Sequence, residues 1–284
     1  MIVKIIKIKF FMSELYVVAT PIGNLRDITL RALDTLKSVN TILCEDTRIT
    51  SRLLQKYEID GKKLLIYNDL SSSKDRLRIL NILQTEDVAL VSDAGTPLIS
   101  DPGQKLIKLL KENNVRVTPI AGCCSAIAAL SASGLALDKF LFLGFLPPAP
   151  TKRIKQLKEI DRKISFIIFE RSTRLLAVLD EIKQNIGLRN ITVAREITKM
   201  HEQIITDTID NVINYFEDNQ DKLRGEFVVI VEKTGDDSGD IEEVTEKIKK
   251  MMKLGVSNKD ISSELSQIYG INRKKLYEIV LGLK

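Results

Sequence analysis

The sequence predicts an α/β protein built as two successive domains, and three observations carry that prediction. From Leu15 onward, short apolar runs alternate with segments whose apolar residues recur at helical spacing. The runs end in loops bearing glycine, proline and aspartate. At 284 residues, 44% of them hydrophobic and 29% charged, the chain is long enough to bury two cores.

Taken in order, strands are expected at Leu15–Ala19, Thr41–Cys44, Leu64–Tyr67, Val88–Ser92 and Val115–Ile120. Between them, Ile28–Val39, Arg48–Tyr57, Asp75–Leu83 and Gln104–Asn113 carry the helical period. Such alternation implies parallel βαβ units with helices on both faces of the sheet. A small-residue helix, Ser125–Ser133, closes this first domain, which is expected to span residues 12–133. A second α/β domain follows over 134–235, with strands at Phe140–Gly144, Ile164–Phe169, Ile191–Arg195, Gln203–Thr208 and Glu226–Glu232. The linker Thr234–Asp240 is polar and glycine-bearing. Residues 236–284 add helices whose apolar faces include Val244, Ile248, Met251, Met252, Ile261 and Leu265, separated by turns at Gly255-Val256-Ser257 and Gly270-Ile271-Asn272. This tail reads either as a helix-turn-helix-like module with a basic entry to its last helix or as a helical cap with a solvated face. Lysines interrupt the apolar residues of 1–11, and the segment is too short to span a bilayer, so it is expected to be a dispensable extension with Met12 as the start.

Composition excludes several classes. Cys44, Cys123 and Cys124 lack metal-ligand spacing, and their odd number argues against a disulfide framework, which fits a reducing, cytoplasmic setting. His201 is the only histidine, which removes multi-histidine metal sites and makes a histidine-based nucleophile triad improbable. A net charge of +5 permits an anionic partner without demanding one.

The most informative stretch is Ser92-Asp93-Ala94-Gly95-Thr96-Pro97-Leu98-Ile99-Ser100-Asp101-Pro102-Gly103, which follows a buried strand. Glycine lets backbone amides approach a ligand and proline stiffens the turn, at the strand ends where α/β proteins bind ligands. No Walker A string, dinucleotide glycine fingerprint or Gly-x-Ser-x-Gly elbow occurs. Glu45-Asp46 ends the second strand, where an acid can hold a ribose diol; capping of the following helix by Asp46 explains that acid equally well.

Several ordered segments carry a resemblance. They are Leu15–Leu33, Cys44-Glu45-Asp46-Thr47-Arg48, Ser92–Gly103, Leu130–Leu135, Phe142–Pro147, Ala194–Glu202 and Gly225-Glu226. Together they resemble the small-subunit ribosomal RNA 2′-O-methyltransferase I family of the tetrapyrrole methylase superfamily. The resemblance implies two α/β domains with a cleft for S-adenosylmethionine between them, a homodimer, and methylation of a cytidine 2′-hydroxyl in the decoding region of small-subunit (16S) rRNA, within the assembled subunit. It places Pro21, Asp93, Ala94, Gly95, Thr96, Leu98, Ile99, Ser125 and Ala126 on the cofactor, with Phe145, Leu146, Ala194, Arg195, Gly225 and Glu226 contributed by the second domain.

Three departures accompany it. Ala121-Gly122-Cys123-Cys124-Ser125 stands where the family carries Pro-Gly-Pro-Ser. Tyr67-Asn68-Asp69-Leu70-Ser71 replaces a histidine-rich stretch, and Phe169–Arg174 keeps only Glu170 and Arg174 of the family pattern.

A ribose hydroxyl is a weak nucleophile, so a proton acceptor is expected beside it. The candidates are Glu45, Asp46, Glu170, Lys199 and Glu202; the Glu45-Asp46 pair with Arg48 as partner is favoured because it follows a strand end. His201 reads as a surface or hinge residue at least as readily as a catalyst. For RNA phosphates the basic candidates are Lys152, Arg153 and Lys155, continued by Lys158, Arg162 and Lys163, together with Arg273, Lys274 and Lys275. Two alternatives stand beside this reading: a small-molecule methylase of the same superfamily, and a non-catalytic RNA-binding assembly factor. No membrane partner and no metal are expected.

Overall fold

The computed structural model describes residues 13–135, 138–233, 240–269 and 273–283. The extension 1–11, the proposed start Met12, most of the polar linker and the turn Gly270-Ile271-Asn272 lie outside the described residues. The chain divides into two compact units, Met1–Ser125 and Ala126–Lys284. The division falls eight residues before the boundary expected at Ser133.

In the first unit five strands, β1 (Leu15–Val18), β2 (Thr41–Cys44), β3 (Lys63–Ile66), β4 (Val88–Leu90) and β5 (Val117–Ile120), form one parallel sheet in the order β3-β2-β4-β1-β5. Helices α1 (Leu30–Ser38), α2 (Thr47–Lys56), α3 (Ser73–Ile82) and α4 (Gln104–Glu112) connect them. Side-chain alternation divides the core into two layers. Leu15, Val17, Leu43 and Leu90 pack with Ile79, Leu83, Leu106 and Leu110 of the α3 and α4 side. Val18, Ile42, Cys44 and Ala89 pack with Ala32, Leu36 and Leu54 of α1 and α2. Both faces are therefore covered, as a parallel sheet requires.

Local signals set the helix starts. The Thr29 hydroxyl accepts from the Ala32 N–H at 3.1 Å, so α1 begins at Leu30, two residues after the periodicity suggests. Ser72 and Asp75 form a reciprocal capping box on α3. Pro119, which has no N–H for the ladder, sits on the edge strand β5.

The second unit holds β6 (Phe140–Phe145), β7 (Ser165–Arg171), β8 (Asn190–Arg195), β9 (Gln203–Thr208) and β10 (Glu226–Val231) in the order β6-β7-β10-β8-β9. Only β6 and β7 run parallel; the remaining neighbours are antiparallel. The small-residue helix α5 (Ser125–Ala132) opens this unit, and α6 (Pro150–Glu159), α7 (Leu175–Ile186) and α8 (Ile209–Asp218) were not anticipated. Leu157, Val178, Leu179, Ile182, Val212 and Phe216 of these three helices bury one face of the sheet against Phe166, Ile168, Val193 and Phe227. On β8 and β9 the Thr192 hydroxyl donates to Thr206, whose own hydroxyl donates to the Ser133 carbonyl at 2.8 Å.

The tail forms α9 (Asp240–Lys253), α10 (Asn258–Tyr269) and α11 (Arg273–Gly282). Val244, Ile248, Ile261, Leu265, Leu276 and Val280 make a core shared by these three helices, with Met251 and Met252 partly buried against it. Among the described residues, no helix is long and apolar enough to cross a membrane.

Candidate functional site

Adjacent strands β4, β1 and β5 bring their C-terminal loops to one edge of the first sheet. The loops are fastened chiefly by main-chain groups. The Thr20 N–H donates to the Gly95 carbonyl at 2.8 Å, and the Gly95 N–H returns a bond to the Thr20 carbonyl at 3.0 Å. This small bridge sets Pro21 beside the Asp93–Thr96 turn. The Thr96 hydroxyl donates to the Cys123 carbonyl at 2.8 Å, which joins the loop leading to Ser125 and Ala126. Gly95 has φ +81°, and a Cβ on Gly122 would come within 2.9 Å of the Ala19 Cβ, so a side chain there would force the loops apart. Leu98 and Ser100 also take positive φ, at +73° and +68°, an unusual conformation for residues with side chains.

The fourth loop, after β2, is tied to the same group. The Asp46 N–H donates to Asp93 Oδ1 at 3.1 Å, and the Asp93 N–H points to Glu45 Oε1 at 3.4 Å. Burial raises the Glu45 carboxyl above its ordinary value, and the negative charges of Asp101, Asp93 and Asp69 act in the same direction. Burial likewise raises Asp93. Asp46 goes the other way. Its carboxylate accepts from Arg48 Nη2 at 2.5 Å and from the Arg48 N–H at 2.8 Å, and this pairing pulls its pKa down to about 2. Asp46, expected to share the role of proton acceptor, caps α2 and is paired with an arginine that is largely exposed.

In the second unit, strand pairing gathers the ends of β6, β7 and β8 with the start of β10 at one edge of the sheet. Phe145 is half exposed there and stacks edge-on with Phe169. Leu146 and Ala194 are buried, so only their backbones could meet a ligand. Arg195 Nε donates to the Arg224 carbonyl, and the Glu196 carboxylate accepts from the Glu226 N–H at 3.0 Å and from Lys199 Nζ at 2.9 Å. Gly225, at φ +88°, lies against that carboxylate; a Cβ would collide with it. Glu170, fully buried, accepts from Arg174 Nε at 2.9 Å, and Glu202 accepts from the Thr198 N–H at 2.6 Å. Glu170 and Lys199 are thus engaged in ion pairs and Glu202 in a turn. His201 is exposed, and no cluster of metal-ligating residues occurs among the described residues.

The basic run divides. Lys152 and Lys155 are exposed on α6. Arg153 is corrected: it is 4% exposed, pairs with Glu181 at 2.6 Å, and donates to the Pro147 and Pro148 carbonyls, so it cannot reach an RNA backbone. Arg273 and Lys274 are exposed at the start of α11, with Lys275 next in that helix.

Sequence reasoning passed over a cavity of about 470 Å³ between the segment after β3 and the loop after β4. Tyr67, Arg76, Asp101 and Gln104 are among its walls. Its walls come from two stretches far apart in the sequence, one beginning at Tyr67 and the long loop ending at Gly103, which no single motif joins.

Comparison with known proteins places these features in a family. Residues 14–213 match the model for Tetrapyrrole (Corrin/Porphyrin) Methylases. The chain is 46% identical over 221 residues to the ribosomal RNA small subunit methyltransferase I of Rickettsia prowazekii (strain Madrid E), covering 77% of this chain and 78% of that protein. It is 39% identical to the protein of the same name from Synechocystis sp. (strain ATCC 27184 / PCC 6803 / Kazusa), covering 96% of this chain and 99% of the other. Among solved structures, a cobalt precorrin-4 methyltransferase of cobalamin biosynthesis superposes with a TM-score of 0.56 at 18% identity, over 77% of this chain and 94% of that one. Uroporphyrin-III-C-methyltransferase from Thermus thermophilus gives 0.55 at 18% identity, over 78% and 94%. These two likenesses establish the shared fold.

Proposed function

The chain belongs to the ribosomal RNA small subunit methyltransferase I family of tetrapyrrole methylases, and from that premise we propose that it methylates a cytidine 2′-hydroxyl in the decoding region. It is an S-adenosylmethionine-dependent methyltransferase acting on small-subunit rRNA. The ribose position, the cytidine, the assembled subunit as the form modified, a two-copy assembly and a cytoplasmic setting belong to the proposal and rest on the family resemblance.

The fastened loops suit the cofactor. Ala94 and Gly95 keep side chains small beside Pro21, so main-chain groups can approach an adenosine moiety closely. Asp93 offers a carboxylate for hydroxyl or ammonium donors beside them. When bound, S-adenosylmethionine would supply a methyl group on a sulfonium, with the neutral thioether as the leaving group. The chain aligns the acceptor, excludes water and removes a proton; positioning supplies much of the barrier reduction. Glu45 is the group to take the hydroxyl proton as the oxygen–carbon bond forms. Among the favoured acids it alone combines partial burial, a raised pKa and freedom from an arginine partner at the end of β2.

The tethering of Glu45 to the cofactor loop through Asp93 is the observation that carries this assignment. Its test is single-turnover transfer of labelled methyl to small subunits by Glu45→Gln and Asp46→Asn proteins. Glu45→Gln should slow transfer by about 10²–10⁴-fold, while Asp46→Asn, which keeps a capping side chain, should stay within a few-fold of the parent. Alkaline hydrolysis of the product RNA reads the position, since a 2′-O-methyl group blocks cleavage at the following phosphate. Unchanged transfer by Glu45→Gln, or cleavage at every nucleotide, overturns the assignment.

A further inference from the structure

Of the residues expected on the cofactor, only Leu98 lines the cavity beside the β4 loop. Its volume of about 470 Å³ falls in the range of small-molecule sites, about 300–1,000 Å³. It lies wholly in the first unit, at the C-terminal ends of β3 and β4, and its walls carry Asn68, Asp69, Arg76, Asp101, Gln104 and Lys105.

Three features make it a built site. The first is its shape. Leu98 and Ser100, which line it, hold positive φ values, and residues stay in such conformations only where their surroundings over-determine them. A Cβ on Gly103, another wall residue, would lie 3.1 Å from Leu98 Cγ, so the loop closes tightly behind the cavity. Arg76 is held in place by the Ser71 carbonyl at 2.8 Å and the Ser73 hydroxyl at 3.1 Å.

The second is charge. Arg76 and Lys105 bring two cations to the walls. Asp69 and Asp101 stand in the same walls, so the lining is balanced in charge; S-adenosylmethionine has no phosphate, and the two cations fit the other substrate, whose backbone is anionic. Asn68 and Gln104 add amides that can pair with the Watson–Crick edge of a base, as enzymes acting on an extruded nucleotide require.

The third is position. Asp69 and Asp101 are wall residues, and their charges act on the Glu45 carboxyl. In geometry, the N–H of the wall residue Tyr67 donates to the Cys44 carbonyl at 2.9 Å, one residue before Glu45, so the wall is tied to the end of β2 that carries the proton acceptor.

We propose that this cavity seats the acceptor itself: a single pyrimidine nucleotide drawn out of the rRNA, with Arg76 and Lys105 at its phosphate, Asn68 and Gln104 at its base edge, and its ribose turned to Glu45. The inference rests on the reading of the chain as an rRNA methyltransferase. Chemistry is unchanged by it; what it adds is the set of residues that choose the nucleotide.

Lys105→Glu and Gln104→Leu alter exposed positions and should leave folding intact; Arg76→Lys keeps the charge but loses the planar fork. With small subunits as substrate, each should raise KM about tenfold or more, while calorimetric affinity for S-adenosylmethionine stays within twofold. Cytidine 5′-monophosphate added with S-adenosylhomocysteine should shift the amide resonances of Asn68, Gln104 and Lys105 in the parent protein and not in Lys105→Glu. Loss of S-adenosylmethionine affinity in these variants would hand the cavity to the methyl donor and overturn the proposal. Shifts confined to other residues would overturn it as well. Methylation by the parent with unchanged KM in all three variants overturns the cavity assignment alone. No methylation by the parent overturns the functional reading beneath it too.

Discussion

Two neighbouring acids at the end of β2 meet opposite electrostatic surroundings. Asp46 is pulled down to about 2 by Arg48, whereas burial and the charges of Asp101, Asp93 and Asp69 push Glu45 up. The consequences for pH are opposite in sign. Asp46 contributes stability present above an unfolded pKa of about 3.9 and lost as pH falls through about 2. Glu45, being raised, favours the fold below an unfolded value of about 4.3, and that contribution disappears as pH rises through the folded value. For activity, only ionised Glu45 accepts a proton. The single-turnover rate should therefore fall on the acid side at a pH above that of an ordinary glutamate, and Glu45→Gln should abolish that limb. A limb that persists in Glu45→Gln assigns it to another group. At this scale the sequence was half legible. The Glu45-Asp46 pair stood out, but helix capping and catalysis use the same residue type, and only the Arg48 contact separates them. The cavity was hidden for another reason: its walls come from segments some thirty residues apart, and no local motif unites them.

Among elements, the parallel strands of the first unit announced themselves because burial on both faces leaves uninterrupted apolar runs. Helices α6 and α8 did not. In α6 only Leu157 and Arg153 are buried, so its sequence reads as a basic surface run. Arg153 explains how such a helix is held. Its fork meets Glu181 of α7 and the carbonyls of Pro147 and Pro148, while Arg174, paired with buried Glu170, reaches the Leu146 carbonyl at 3.5 Å. Two ion pairs thereby grip three consecutive carbonyls in the turn after β6. Removing one partner strands a buried charge, so Glu181→Ala should cost about 3–5 kcal/mol in urea unfolding of the second unit. Replacing both Arg153 and Glu181 by apolar residues should cost less than the single change. Equal costs would mean that the pair contributes only through packing.

On the scale of the whole molecule, the three-helix tail has a core of its own and carries Arg273 and Lys274 at an exposed helix start. Lys152 and Lys155 supply a second exposed basic place on α6. Each phosphate contact releases condensed counterions, so charge reversal at Arg273 and Lys274 should weaken binding of small-subunit RNA and flatten its dependence on salt. Affinity for S-adenosylmethionine should not change. An unaltered salt slope, measured by filter binding across a range of ionic strength, would leave the tail as a helical cap. The two-domain plan was readable from periodicity. The mixed pairing of the second sheet was not, because antiparallel and parallel neighbours bury similar apolar runs when both faces are covered.

The joint between Thr96 and Cys123 has a bearing on how this loop can vary. The acceptor is a peptide oxygen, a group every amino acid possesses. Cys123 and Cys124 can therefore stand there without unlatching the turn. What the position cannot surrender is the hydrogen at Gly122, whose replacement by a methyl would press on Ala19. A side-chain change at Cys123 would cost only its thiol contact to the Asp27 carbonyl, at 3.3 Å, whereas a change at Gly122 would move the backbone.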